Sequence, residues 1–178
     1  MSELAFSGLG LNPVTATPAC INDAAAVAGG SSSGAAASIA CDLAAGAIGS
    51  DTGGSVRIPA AWNDLVGLKT TAGRVSIQGV VPLCATFDTV GPLSKTVEDA
   101  GLLFAALEGR SPADLTASSL RGKRLGILQT VAFDELREAP ATGFETALAK
   151  VIKAGAIVED IEIEAVAKAM PLSPILFA

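Results

Sequence analysis

Apolar and polar positions divide the 178-residue chain into a polar opening, a long tract of small residues, and a later alternation of strand-like and helix-like stretches. The segment SGLGLNPVTATP at 7–18 reads as a loop. Residues 24–45 are almost all small and apolar, broken by GGSSSG at 29–34. The part after that break, AAASIACDLAAG, predicts a helix that begins near Ser33 and stops at Gly46. It lacks a polar face, so burial on most sides is expected. AIGS at 47–50 predicts a short buried strand that runs into GSDTGGSVRIP at 49–59, and LVGLKT at 65–70 predicts another strand. TVEDAGLLFAALEG at 96–109 carries a full set of helix signals: Thr96 as N-cap, acids in the first turn, and Gly109 as the stop.

After RSPADLTASS at 110–119 the pattern changes. KRLGILQ at 123–129 predicts a strand, residues 135–155 contain a helix ending at Gly155, and AIVEDIEI at 156–163 predicts a second strand. Strand, helix, strand in this order implies a parallel crossover and an α/β fold class. The C-terminal stretch MPLSPILFA is apolar without a polar terminator, which is the expectation for a body that continues.

Composition removes several functions. Half of the residues are hydrophobic and 17% are charged, yet no window approaches the roughly 18 uninterrupted apolar residues of a membrane span. MSELAFSGLG has neither the basic region nor the apolar core of a signal peptide, so cytoplasm is the expected compartment. The net charge of −6 argues against a nucleic-acid surface, and RGKR at 121–124 is too short a basic cluster to reverse that; it suits the start of a strand. The 3 cysteines, Cys20, Cys41 and Cys84, are odd in number, widely spaced and without histidine companions. They make neither a disulfide framework nor a zinc site and are expected to be small buried hydrophobes. No metal and no cofactor is implied.

The chemistry centres on Ser55, which follows two glycines in DTGGS. The chain has 0 histidines, which excludes a Ser-His-Asp arrangement and imidazole proton shuttles. A serine nucleophile would need a neutral lysine or a second hydroxyl to take its proton. Backbone N–H groups of Thr52, Gly53, Gly54 and Ser55 could converge on an oxyanion, because glycine permits close approach and unusual dihedrals. A second cluster, Ser31, Ser32 and Ser33, lies at the start of the small-residue helix, whose N-terminus adds partial positive charge. Taken singly, each Gly/Ser run also fits a turn or linker. The phosphate-binding patterns fail, since no GK[ST] follows the glycines and the dinucleotide glycine spacing is absent.

The two motifs together resolve the choice. GGSSSGAAASIACDLAAGAIGSDTGGSVRIPAAWNDLVGLKTTAGRVS, preceded by ELAFSGLGLNP and followed by VVPLCATFDTVGPLSKTVEDAGLLFAALEG, resembles the amidase signature family of serine hydrolases. The resemblance is strong over 1–110 and looser beyond, giving one partial amidase domain over 1–178: a signature core at 1–110 and a strand-helix-strand continuation at 118–178. It implies a mixed β-sheet core flanked by helices in α/β/α layers, incomplete in this chain, and a Ser–cis-Ser–Lys triad. By position Ser55 corresponds to the nucleophile and Ser31 to the serine of the cis peptide bond, which relays the proton. Ser32 supports that network by hydrogen bonding. Thr52, Gly53 and Gly54 supply oxyanion-hole amides, and Asp51 and Arg57 match a structural ion pair that holds the loop.

The family's lysine precedes the segment this chain covers. The lysines present, Lys69, Lys95, Lys123, Lys150, Lys153 and Lys168, all follow the serine motifs. Lys69 matches a structural position. The chain alone is therefore expected to have little amidase activity and to be a piece of a split, truncated or mis-started gene. The expected reaction is hydrolysis of a small-molecule amide through a serine acyl-enzyme. The alternatives are a non-catalytic remnant and the A subunit of a glutamine-hydrolysing amidotransferase. VRIPA and AGRVSIQG stand where that subunit usually has IRQPA and a YGRVSRYG-like run, which favours the plain amidase. Exposed apolar faces on an incomplete body make a homodimer or a complementing fragment the expected partner.

Overall fold

The computed structural model describes residues 2–172. The chain forms two compact units, Met1–Ala113 and Asp114–Ala178. Most of the apolar C-terminal stretch, from 173 onward, lies outside the described residues, and the expectation placed on it lies there too.

In the first unit, a two-stranded antiparallel pair, β1 (Ala19–Cys20) and β2 (Asp23–Val27), precedes helix α1 (Ser33–Ala40). Strand β3 (Gly46–Asp51), helix α2 (Arg57–Trp62) and strand β4 (Val66–Gly67) follow. Strand β5 (Thr89–Ser94) and helix α3 (Val97–Glu108) complete it. The sheet order is β3-β5-β4, antiparallel throughout. Side chains alternate across a strand, and β3 shows both faces. Ala47 packs with Ala36, Ile39, Val56, Ala60 and Leu93 in the core beneath α1 and α2. Its neighbour Gly46 faces Leu103 of α3, whose Cδ1 would lie 2.6 Å from an added Cβ. The sheet is thus sandwiched between α1 and α3, the α/β/α layering expected of the fold class.

Several elements differ from the pattern-based reading. Helix α1 starts at Ser33 as expected but ends at Ala40, not Gly46. Leu43 and Ala44 N–H groups fold back onto the Ser38 carbonyl, and Gly46 opens β3 because α3 approaches it closely. Its glycine marks tight packing and is not a helix stop. Of LVGLKT only Val66–Gly67 is ladder-paired. The rest still follows β5, through Leu68 N–H to the Pro92 carbonyl at 3.0 Å and Thr70 Oγ1 to the Val90 carbonyl at 2.8 Å.

Strand β5 itself, TVGPLS, has no pattern that predicts it, although all six of its residues are buried and it is the central strand. A proline normally argues against a central strand. Here Pro92 turns its carbonyl, and hence its nitrogen, to the β4 side, where the ladder has ended at Gly67, so no pairing bond is lost. Gly91 is required by the same neighbour: an added Cβ would sit 2.0 Å from the Leu68 carbonyl oxygen. Helix α3 has the expected ends, with Thr96 Oγ1 accepting from Asp99 N–H at 3.0 Å and Gly109 in the left-handed region at φ 66.

The second unit holds β6 (Arg124–Leu128), helix α4 (Glu138–Lys153), β7 (Ile157–Ile161) and helix α5 (Glu164–Ala169). Strands β6 and β7 pair in parallel from Arg124↔Ile157 to Leu128↔Ile161, as the strand-helix-strand order implies. A cavity of about 340 Å³ between them and α4 is lined by Leu125, Ile127, Phe133, Phe144, Leu148 and Val151, among others. The expectation that the cysteines are buried needs correction: Cys41 is exposed, and Cys20 and Cys84 are half-buried. Cys41 is the C-cap of the shortened α1, which places it on the turn and not inside a helix. Among the described residues no helix is long and apolar enough to cross a membrane.

Candidate active site

The two serine motifs meet at one end of the first unit's sheet. β3 ends at Asp51, the chain turns through residues 52–56, and α2 starts at Arg57. Ser55 lies on that turn and is half-buried. The upstream motif precedes α1, and Ser31, Ser32 and Ser33 are all buried. Ser32 N–H donates to the Ser55 carbonyl at 3.2 Å, and the Ser32 hydroxyl lies 3.4 Å from the Ser50 carbonyl. Gly49 makes this docking feasible, since a Cβ there would come within 2.5 Å of Ser32 Oγ. The Gly30–Ser31 peptide bond is cis. Gly30 N–H donates to the Gly8 carbonyl at 2.8 Å, and the Ser31 carbonyl accepts from Ser2 N–H at 3.1 Å, so the opening loop covers this bend.

Asp51 is fully buried and organises the turn. Its Oδ1 accepts from Gly54 N–H at 2.8 Å, and its Oδ2 from Val56 N–H at 3.1 Å. Arg57 adds a forked pair of bonds, Nε to Oδ2 and Nη2 to Oδ1, each 3.0 Å. Such a two-pronged guanidinium contact fixes the carboxylate's plane as well as its charge. Burial pushes the Asp51 carboxyl up, but the bonds from Arg57, Val56 and Gly54 and the Arg57 charge outweigh it and hold the group below the usual carboxylate range. Arg57 is raised correspondingly by its bond to Asp51. Asp51 and Arg57 are therefore an ion pair that ties the two ends of the turn together.

This geometry changes the set of available amides. Of the expected Thr52, Gly53 and Gly54 amides, Gly54 N–H donates to Asp51 Oδ1. Among the described residues no hydrogen bond occupies the N–H groups of Gly53 and Ser55. Gly54 instead supplies the turn's conformation, at φ 134, where a side chain would be strained and would collide with Ile58.

Neither lysine of the first unit joins the serines by a hydrogen bond. Lys69 Nζ donates to the Thr70 carbonyl at 2.7 Å, and Lys95 pairs with Asp42 near the C-terminal end of α1. Ser33 Oγ is buried without a hydrogen-bond partner among the described residues.

Three supporting residues, Thr89, Asp88 and Asn63, escape a reading of the sequence. Thr89 Oγ1 donates to the Asp51 carbonyl at 2.6 Å, and Thr52 Oγ1 donates to Asp88 Oδ1 at 2.5 Å. Asn63, also buried, donates to the carbonyls of Ala28 and Pro59 at 2.8 Å each, fastening the strand before the first serine motif to α2. The available signal was chemical: an aspartate inside the apolar run CATFDTVGPL needs partners if it is buried.

The family model described as Amidase matches residues 1–178. The chain belongs to the amidase family. Among curated relatives, it is 43% identical over 120 residues to the A subunit of glutamyl-tRNA(Gln) amidotransferase from Cereibacter sphaeroides, covering 60% of this chain and 24% of that protein. It is 41% identical over 158 residues to 2-amino-5-chloromuconic acid deaminase of Comamonas testosteroni, covering 86% of this chain and 34% of the relative. The crystal structure of the A subunit of the Thermotoga maritima glutamyl-tRNA(Gln) amidotransferase superimposes with a TM-score of 0.90 at 29% identity, covering 98% of this chain and 41% of that one. The chain thus spans well under half the length of these relatives.

Proposed function

We propose that this chain carries the nucleophile half of an amide-hydrolysing site. Ser55 attacks the carbonyl carbon of a small-molecule amide, the C–N bond breaks as the amine leaves with the proton taken from Ser55, and water hydrolyses the acyl-enzyme to release the acid. Ser31 relays the Ser55 proton, Ser32 holds the two serine segments together, and Gly53 and Ser55 N–H groups face the developing oxyanion, with Thr52 beside them. The observation that carries this reading is the bond from Ser32 N–H to the Ser55 carbonyl, which joins both serine motifs next to the cis Gly30–Ser31 peptide. The base is a lysine amine supplied from outside the first unit, because Lys69 and Lys95 are engaged elsewhere. A complementing polypeptide segment is thus the partner this site calls for. Cysteines that form no disulfide suit a reducing, cytoplasmic compartment.

The test is labelling with a fluorophosphonate, which reacts with activated serines. Modification of Ser55 in the chain combined with that lysine-bearing segment, lost in Ser55→Ala, supports the reading; an unlabelled Ser55 in the folded combination overturns it. A second reading, glutamine hydrolysis as the A subunit of an amidotransferase, is favoured by the two similar proteins of that name. Release of ammonia from glutamine in preference to simple amides would select it.

A further inference from the structure

We propose that Asp88 is a positioning residue for the Ser55 turn, acting through the Thr52 hydroxyl; the inference rests on the amide-hydrolase reading of Ser55. Asp88 is 6% exposed, and it gathers three donors. Thr52 Oγ1 reaches its Oδ1 at 2.5 Å, Leu83 N–H reaches its Oδ2 at 2.9 Å, and Cys84 N–H spans both oxygens at 3.1 Å. None of these contacts serves the Asp51–Arg57 pair. A buried carboxylate is costly unless hydrogen-bonded, so the cluster persists as a unit or not at all.

Its place in the fold gives it a role. Asp51 and Thr52 leave the end of β3, and Asp88 and Thr89 enter the start of β5 directly opposite, in the register Asp51↔Thr89. Thr89 Oγ1 holds the Asp51 carbonyl while Asp88 holds the Thr52 side chain. Asp51 then grips the far side of the turn at Gly54, Val56 and Arg57. The turn is anchored at Thr52, Gly54 and Val56, and the residues between these anchors, Gly53 and Ser55, are those whose N–H groups make no hydrogen bond among the described residues. Asp88 fixes the upstream anchor and also draws in the loop at 83–87, so that this loop and the turn move as one body.

The consequence is separable from stability. Displacement of oxyanion donors by about 1 Å can cost on the order of a hundredfold in rate. Loss of folding instead lowers the fraction of molecules that react. The experiment therefore measures both the rate constant and the final extent of fluorophosphonate labelling at Ser55 in the chain combined with the lysine-bearing segment, for wild type, Thr52→Val, Thr52→Ser, Asp88→Asn and the Thr52→Val/Asp88→Asn pair. The expected result is full labelling in Thr52→Val at a rate constant lowered roughly 10- to 100-fold, most of it recovered in Thr52→Ser, which keeps the hydroxyl. The double variant should be no slower than the slower single one, because both cut the same link. If Asp88→Asn fails to fold, the Thr52→Val and Thr52→Ser comparison decides alone. Labelling of Thr52→Val at the wild-type rate constant, or a loss of extent without a change of rate, overturns the proposal. A wild-type chain that does not label at all refutes the amide-hydrolase reading instead, so the two failures are distinguishable.

Discussion

The two units solve the problem of burial in opposite ways. In the first, Ile39, Val56 and Leu93 are completely buried, and so is the charged Asp51. In the second, no residue of α4 is fully buried, and Phe144, Ile152 and Ile157 stand 42%, 51% and 54% exposed. The first unit closes its core with small residues that let α1 and α3 approach the sheet, and it uses hydrogen-bonded carboxylates to shape one turn. The second is a single strand-helix-strand layer with a cavity against its helix. Chemistry that depends on fixed backbone donors belongs in the first kind of environment, where preorganised dipoles act in low dielectric. The serines are found there.

The strongest way to break this contrast is at Ser55, the proposed nucleophile. Ser55→Ala should lower the rate of serine-dependent hydrolysis by about a thousandfold or more, in the chain supplied with the proposed lysine segment. Urea unfolding followed by Trp62 should be almost unchanged, because Ser55 Oγ holds no part of the core. A variant that loses stability along with activity would show that the hydroxyl is structural.

Next in size is the packing of β5. Gly91→Ala should destabilise the first unit by about 4 kcal/mol, since its Cβ would meet a backbone oxygen that cannot swing aside. Gly101→Ala, on α3 with open space around it, should not destabilise at all. Urea midpoints of the two variants measure the difference, and equal midpoints would contradict the close approach of Leu68 to Gly91.

Asp51 tests the polar half of the comparison. Asp51→Ala orphans the Gly54 and Val56 amides and should cost about 3 kcal/mol, while half-exposed Arg57 returns to water. The pH dependence has a definite sign. Because the folded carboxyl titrates below its unfolded value, its contribution is complete above the unfolded pKa of about 3.9. It is lost as pH falls through the lower, folded value. Thermal unfolding of wild type and Asp51→Asn between neutral pH and pH 2 should therefore converge at the acid end. Curves that stay parallel would deny the depressed pKa.

The smallest effect sharpens the contrast between cores. Leu93→Ala should cost about 3 kcal/mol, and Phe144→Ala only about 1 kcal/mol because its ring already meets water. The Phe144 variant also loses an edge-on contact with Phe133 at 5.4 Å between ring centres. Amide exchange in α3 and α4 reads the two units separately. Equal losses would mean that the second unit's core is as closed as the first's.

Local signals explain which elements can be read in advance. Helix α3 is legible because its capping residues act over three or four positions, and β6, α4 and β7 are legible because their periodicity survives partial exposure. β5 is illegible for a matching reason. A strand buried on both faces, with a glycine and a proline, has no alternation to detect, and both residues are explained only by Leu68 and Pro92 meeting across the sheet. The end of α1 is misplaced by pattern alone because Gly46 looks like a stop signal until Leu103 is seen packed against it.

By itself the sequence determined the family and the α/β class, and it narrowed the chemistry open to a chain without histidine to the serines proposed here, because residue types and short spacings carry that information. Only the tertiary structure decided which amides stay free. Asp51 occupies the Gly54 amide, and Asp88, far along the chain, takes hold of Thr52. A hydrogen-bond donor can be spent only where an acceptor arrives, and these two carboxylates arrive through strand pairing and burial, which no local pattern records.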